Sequence, residues 1–160
     1  MCCRWVKTMT PPERWPDLAG RIENGVHILP VRVYYEDTDF SGNVYHANYL
    51  KFCERARSDC LRMLGIRHRE LHARSGFVVR RLACDFLKPA HIDEVLEVES
   101  RFDEIGGARL DLDQQVKRKA ELIFHAKVTV ALINGEGRPK RLPREMIDAL
   151  LAVATTLTAS

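Results

Sequence analysis

The chain has 160 residues, 46% of them hydrophobic and 29% charged, with a formal net charge of +3. That length implies one domain with a core of its own, and the absence of any run of eighteen apolar residues excludes a membrane-spanning helix. The small positive excess is interleaved with acids and forms no one-sided basic stripe, so a nucleic-acid partner is not expected; a solvated surface, or a small anionic partner bearing phosphates, is.

Residues 1–25 hold Trp5, Trp15, Pro11, Pro12 and Pro16 without periodicity. They read as an N-terminal extension, partly disordered, ahead of a single domain over residues 26–155; Met9 is an alternative start. Arg4 and Lys7 are followed by no continuous apolar segment, so a secretory signal is not expected. The five cysteines (2, 3, 53, 60 and 84) are odd in number and include no Cys-x-x-Cys, which points away from a disulfide framework or a zinc site and fits a reducing cytoplasm. Cys53 and Cys60, two turns apart on one helix, have Cα atoms about 10 Å apart, too far to bridge, and read as small buried hydrophobes. Histidines 27, 68, 72, 91 and 125 show no ligand spacing, so no metal is expected.

In chain order, Leu29, Val31, Val33 and Tyr35 alternate with Pro30, Arg32 and Tyr34, the pattern of a strand with one apolar face. Ser41-Gly42-Asn43 marks a turn. Asn48 is a candidate cap for a helix running to Leu64, with Gly65 placed to end it. Tyr49, Cys53, Ala56, Cys60 and Leu64 form its apolar stripe; Glu54, Arg55, Arg57 and Asp59 fall off it, Arg55 and Asp59 as an i, i+4 pair. After a helical or irregular piece over 67–74, strands are expected over 77–87, around Leu96 to Asp103, over 108–117 and over 122–133, with Gly106-Gly107 as a hairpin signal. Pro143 opens a terminal helix carrying Met146, Ile147, Leu150 and Leu151. One long helix against five antiparallel strands is α+β, and its exposed sheet edges suit pairing with a second copy as a homodimer.

The chemistry concentrates in residues 31–49. Asp39 stands between a strand end and a helix start, where helix N–H groups can polarise a carbonyl oxygen while the carboxylate attacks it or activates a water. The same position equally suits a carboxylate that only completes a turn. Asp37, two residues earlier, reads as structural. Tyr35 shares the inward parity of Val33: a core tyrosine, or one whose hydroxyl reaches a carboxylate or substrate. His46, just before the helix, could orient the carboxylate or have no task. Tyr45 and Tyr49 read as packing aromatics. No nucleophile elbow and no phosphate loop is present.

Tyr35-Glu36-Asp37-Thr38-Asp39, Gly42, Val44-Tyr45-His46-Ala47-Asn48-Tyr49 and Glu54-Arg55-Ala56-Arg57 resemble the hotdog-fold acyl-CoA thioesterases of the 4-hydroxybenzoyl-CoA thioesterase type, and most nearly their branch associated with the Tol-Pal system. Phe77-Val78-Val79-Arg80, Phe86-Leu87-Lys88-Pro89-Ala90 and Gly137-Arg138-Pro139 extend the likeness over residues 28–150. The resemblance implies a hotdog fold, one long helix wrapped by a five-stranded antiparallel sheet, in homodimers that pair into homotetramers. It implies hydrolysis of an acyl-CoA with Asp39 as nucleophile or general base, Tyr35 and His46 as accompanying active-site positions, and a carbonyl-polarising N–H near His46. No cofactor is implied, since coenzyme A is part of the substrate; an acyl-carrier protein is an alternative carrier of the acyl group. Basic side chains are implied near the phosphates, with Arg80, Arg81, Lys88, Arg138 and Lys140 as candidates. Ser41, Asn43 and the long N-terminal extension depart from the family pattern. The rival readings are a hydratase, for which no motif is present, and a non-catalytic acyl-CoA or acyl-carrier-protein binding module.

Overall fold

The computed structural model describes residues 20–66 and 75–154. Residues 1–19, most of the expected extension, and the piece expected over 67–74 lie outside the described residues, as does residue 155. Alternation of apolar and polar side chains builds β4 (Val95–Gly106), β5 (Arg109–Arg118) and β6 (Glu121–Ile133), consecutive antiparallel strands. The first reversal uses Gly107 at φ +61°, the second Lys119 at φ +57°. β2 (Val26–Arg32) pairs with β4 on one side, and β3 (Gly76–Phe86) pairs with β6 on the other.

Among the described residues the sheet has six strands rather than five, in the order β1-β2-β4-β5-β6-β3. The extra one, β1 (Arg21–Glu23), pairs with β2 and comes from residues assigned to the extension. Three residues with no apolar alternation give too short a pattern to read. Its place is held by Gly20, whose N–H donates to Asp59 Oδ2 (2.8 Å); a Cβ on Gly20 would lie 2.5 Å from the Ile28 carbonyl oxygen.

The helix α1 (His46–Met63) lies on one face of this sheet. It contains no glycine or proline and ends in a Schellman motif: Ile66 N–H donates to Leu61 O (2.8 Å), Gly65 N–H to Arg62 O (3.0 Å), with Gly65 at φ +78°. Its buried stripe is Tyr49, Phe52, Cys53, Ala56, Cys60 and Leu61. Fully buried Phe52 and Phe124 each contribute about 2–3 kcal/mol of transfer free energy to this interface. The two buried thiols on α1 are pushed by desolvation up to about 12. A second helix, α2 (Arg144–Ala154), buries Met146, Leu150 and Val153 and also contacts β4.

Two sequence expectations for α1 change. Asp59 is buried and pairs with His27 Nε2 (2.9 Å) and Arg62 (2.8 Å), not with Arg55, whose guanidinium instead sits 5.8 Å from the Phe52 ring centroid. Arg57 donates to Gln114 Oε1 (2.7 Å) and pairs with Glu54. Gln114 has the inward parity of its strand. It is tolerated in the core because its amide also donates to the Cys53 carbonyl (3.1 Å) and to Ser100 Oγ (2.8 Å).

Candidate active site

After β2 the backbone leaves the sheet. Val33 is fully buried, and Tyr35–Asp37 form a single 3-10 turn. The turn carries a reciprocal cap: the Tyr34 N–H donates to Asp37 Oδ2 (2.9 Å) and the Asp37 N–H to Tyr34 O (3.0 Å). The Asp37 carbonyl accepts from the Tyr45 N–H (2.8 Å) and from Asn48 Nδ2 (2.9 Å). Buried Asp37 is therefore structural, joining the end of the strand to the start of α1. Asn48, expected as the helix cap, is the third residue of α1, and the cap position belongs to Tyr45. Asn48 instead donates from Nδ2 to the Asp37 carbonyl, tying the helix to the turn before it.

The same turn corrects the reading of Tyr35. Alternation would carry its ring inward with Val33, but the 3-10 turn breaks the period, and Tyr35 is 84% exposed. Its backbone carbonyl accepts from Thr38 Oγ1 (2.8 Å) and the Thr38 N–H (3.2 Å).

Asp39 heads the next reversal. Its N–H donates to Asn43 O (2.8 Å), and its carbonyl accepts from the Gly42 N–H (3.0 Å). Gly42 sits at φ +81°, which only a residue without a Cβ adopts freely. One carboxylate oxygen, Oδ1, accepts both from Ser41 Oγ (2.5 Å) and from the Ser41 N–H (2.8 Å), and Ser41 Oγ in turn accepts from Asn43 Nδ2 (2.9 Å). These Ser41 hydrogen bonds, with smaller help from the Asn43 backbone and the His46 charge, hold the carboxyl below its ordinary value despite a small desolvation effect. The other oxygen, Oδ2, has no partner among the described residues, and the carboxylate is open to solvent.

His46 is the first residue of α1, within electrostatic reach of Asp39. Its ring lies 4.4 Å from that of Tyr45 and 6.2 Å, edge-on, from Phe86, centroid to centroid. Beneath it Tyr49 stacks on Phe124 (5.1 Å), and Phe86 meets Phe124 edge-on (5.2 Å). The N–H groups of Tyr45 and Asn48 are used by the Asp37 and Tyr45 carbonyls. Those of His46 and Ala47 stand in the first helical turn, where no intrahelical acceptor exists. The structure thus brings Asp39 within electrostatic reach of His46, at a helix start whose His46 and Ala47 N–H groups have no acceptor among the described residues, while the Tyr35 side chain is exposed.

Sequence reasoning passed over what supports this surface. The Asn43–Val44 backbone bridges to the segment after β3: Val44 N–H donates to Ala90 O (2.8 Å), Asn43 pairs with His91, and the Ala90 N–H donates to Tyr49 Oη (3.2 Å). An apolar cavity of about 50 Å³ lies elsewhere, beside the middle of α1, lined by Arg57, Leu61, Phe77, Val79, Phe102 and Leu112 among others; none of Tyr35, Asp39 or His46 lines it. Among the described residues no group of acidic, histidine or cysteine side chains could hold a metal ion.

A long helix laid on one antiparallel sheet is the hotdog arrangement. Residues 41–124 match the thioesterase superfamily. The acyl-CoA thioesterase YbgC of Haemophilus influenzae is 41% identical over 128 residues, covering 78% of this chain and 93% of the relative. The acyl-CoA thioester hydrolase YbgC of Escherichia coli O157:H7 is 38% identical, covering 74% and 90%. A solved structure of a probable thioesterase from Bartonella henselae superposes with a TM-score of 0.71 at 43% identity, over 74% of this chain and 99% of that one. The chain belongs to the thioesterase superfamily. The matched span opens two residues after Asp39, so the family match and the geometry at Asp39 are separate observations.

Proposed function

We propose that the protein hydrolyses an acyl-CoA to a free acid and coenzyme A, with Asp39 as nucleophile or general base. The observation that carries this is the division of labour within one carboxylate: Oδ1 is pinned by Ser41, while Oδ2 is exposed and without a partner among the described residues, in a reversal that leads into the first turn of α1, where the N–H groups of His46 and Ala47 have no intrahelical acceptor. A thioester carbonyl oxygen received by those donors gains from fixed dipoles that need no reorganisation. Oδ2 then attacks the carbonyl carbon, or removes a proton from a water that does so. The C–S bond breaks and the sulfur leaves and takes up a proton; in the nucleophilic route one water then cleaves the acyl-Asp39 anhydride, giving the free acid and the Asp39 carboxylate. The reaction so written needs no cofactor.

The names of the relatives support the acyl-CoA class. Tyr35 and Phe40, exposed on either side of Asp39, suit a surface covered by substrate or by a second copy of the chain. Among the described residues the outer edge of β3 is unpaired, with Val78 and Val79 exposed. Antiparallel pairing of two β3 strands would protect it and set the Phe77 end of one chain, with its cavity, beside the Phe86 end of the other, where His46 and Asp39 lie. A homodimer, paired further into a homotetramer, with active sites at the subunit interface is the assembly we propose. A cytoplasmic location and a role beside the Tol-Pal system belong to the same reading, and no helix among the described residues is long and apolar enough to cross a membrane. An acyl-carrier protein could present the same thioester.

The test is thiol release from short-chain, long-chain and aromatic acyl-CoAs. Turnover of at least one is expected; binding of all with release from none would favour a non-catalytic acyl-CoA binding module. Trapping of an acyl-enzyme, or label entering Asp39 in a single turnover in heavy-oxygen water by attack at the Asp39 carbonyl of the anhydride, would establish the nucleophilic role.

A further inference from the structure

The Asp39 reversal has little structure of its own, yet its backbone is tied to a neighbour that carries an unusual concentration of charge. Val44 N–H and Asn43 bond to Ala90 and His91, in the connection between β3 and β4. Glu94 closes that connection, its carboxylate accepting from the His91 N–H (3.0 Å), with the His91 ring nitrogen 3.8 Å away. Arg118, at the end of β5, then reaches across. Its Nη1 donates to both Glu94 oxygens (3.1 Å each) and to the Pro89 carbonyl (3.1 Å), while Nη2 donates to Glu121 (2.6 Å). Glu121 also binds Lys88, one residue before Pro89. One guanidinium therefore grips both ends of the segment, Pro89 and Glu94, against which the Asp39 turn is laid. Both side chains are about seven-tenths covered, which suits a fixed pair better than a solvated one.

We infer that Arg118 and Glu94 are positioning residues for the Asp39 turn, acting through residues 89–91. The inference rests on the hydrolase reading of Asp39. A guanidinium is required, because its Nη1 holds Glu94 and the Pro89 carbonyl while its Nη2 holds Glu121, a span that a single lysine nitrogen does not cover. Displacing a reacting group by about 1 Å costs up to about a hundredfold in rate. Loosening the clamp should therefore lower kcat more than it raises KM.

The experiment compares Arg118→Met, Arg118→Lys, Glu94→Gln and the double variant E94Q/R118M with the wild-type protein. kcat on the best acyl-CoA should fall about tenfold or more in R118M, with KM within about twofold. R118K should recover part of the loss. The double variant should be no slower than R118M, since both changes break one link. Arg118 does not act on the Asp39 carboxyl directly. In R118M the acid limb of the kcat profile should nevertheless move to higher pH, because a looser turn holds Ser41 less firmly against Asp39. A purely structural part would lower the thermal midpoint and the active fraction without moving that limb. Independently of activity, the Val44 amide should exchange faster in R118M. Unchanged kcat and an unmoved acid limb in folded R118M would overturn the inference while leaving the hydrolase reading intact. A wild-type protein inactive on every thioester would refute that reading, and an unchanged Val44 exchange rate in R118M would then dispose of the clamp as well.

Discussion

Asn48→Ala and Asn48→Asp test the join between the strand end and the helix start. Asn48 is buried, and its Nδ2 donates to the Asp37 carbonyl (2.9 Å), which also accepts from Tyr45 N–H. Alanine removes one buried hydrogen bond, about 1 kcal/mol, but leaves the carbonyl paired, so with a small void the loss is about 1–2 kcal/mol. Aspartate does worse. It sets a carboxylate against the Asp37 carbonyl with no donor between them, costing about 3 kcal/mol or more. Its position in the first turn of α1 returns about 0.3–1 kcal/mol from the helix dipole, which is too little to offset the loss. Urea unfolding followed by circular dichroism should therefore rank wild type above Asn48→Ala and Asn48→Asp last, the latter about 2–3 kcal/mol down, with midpoints on heating lowered by roughly 2–4 °C per kcal/mol. Asn48→Asp as stable as wild type would mean that Asn48 acts as a cap and not as the tie to Asp37.

Ser41→Ala removes the strongest of the interactions that hold Asp39 below its ordinary value. Activity that needs the carboxylate is lost as pH falls through the Asp39 pKa, so in Ser41→Ala the acid limb of kcat/KM should move upward; an unmoved limb would detach Asp39 from that ionisation. Asp59 is raised by burial, but the bonds from Arg62, Gly20 and His27 more than offset this and leave it lowered, so its stabilisation is present above the unfolded-state pKa and fades as pH drops through the folded one. Asp59→Asn should accordingly destabilise the protein at pH 7 and cost progressively less in acid, measured by urea unfolding at several pH values. Cys53 and Cys60, with thiols pushed by burial up to about 12, should stay unmodified by a disulfide reagent at pH 8 until the protein is unfolded, as read by peptide mass.

The long elements were legible because each repeats a period. The α1 stripe and the parity of β5, including inward Gln114, follow from spacing alone. Legibility ended where the backbone left its period. Tyr35 was read inward because alternation was carried one residue too far, past Val33 into a 3-10 turn that no local residue announces. Asn48 was read as a cap because asparagine caps helices well; its actual acceptor, the Asp37 carbonyl, is defined only once the chain has folded back. For Asp59 the sequence suggests a place off the stripe and an i, i+4 pair with Arg55, because nothing local reveals that His27 and Gly20 arrive beside it, 32 and 39 residues away. The Arg118–Glu94 contact, 24 residues apart, was invisible for the same reason. At Asp39 local pattern left a turn and a catalytic centre in balance. The geometry shows the turn role, with Oδ1 bonded to Ser41, and leaves Oδ2 without a partner among the described residues; the catalytic role is the proposal that thiol release tests.

The most direct test of the proposed chemistry is steady-state thiol release by wild type and Asp39→Asn on the acyl-CoA that wild type turns over fastest, with circular dichroism and sizing to establish an unchanged fold and assembly. The amide keeps the shape of the turn but can neither attack nor take a proton, so kcat/KM should fall by about 10²–10⁴-fold or more. A folded Asp39→Asn protein that retains the wild-type kcat/KM would contradict the central claim.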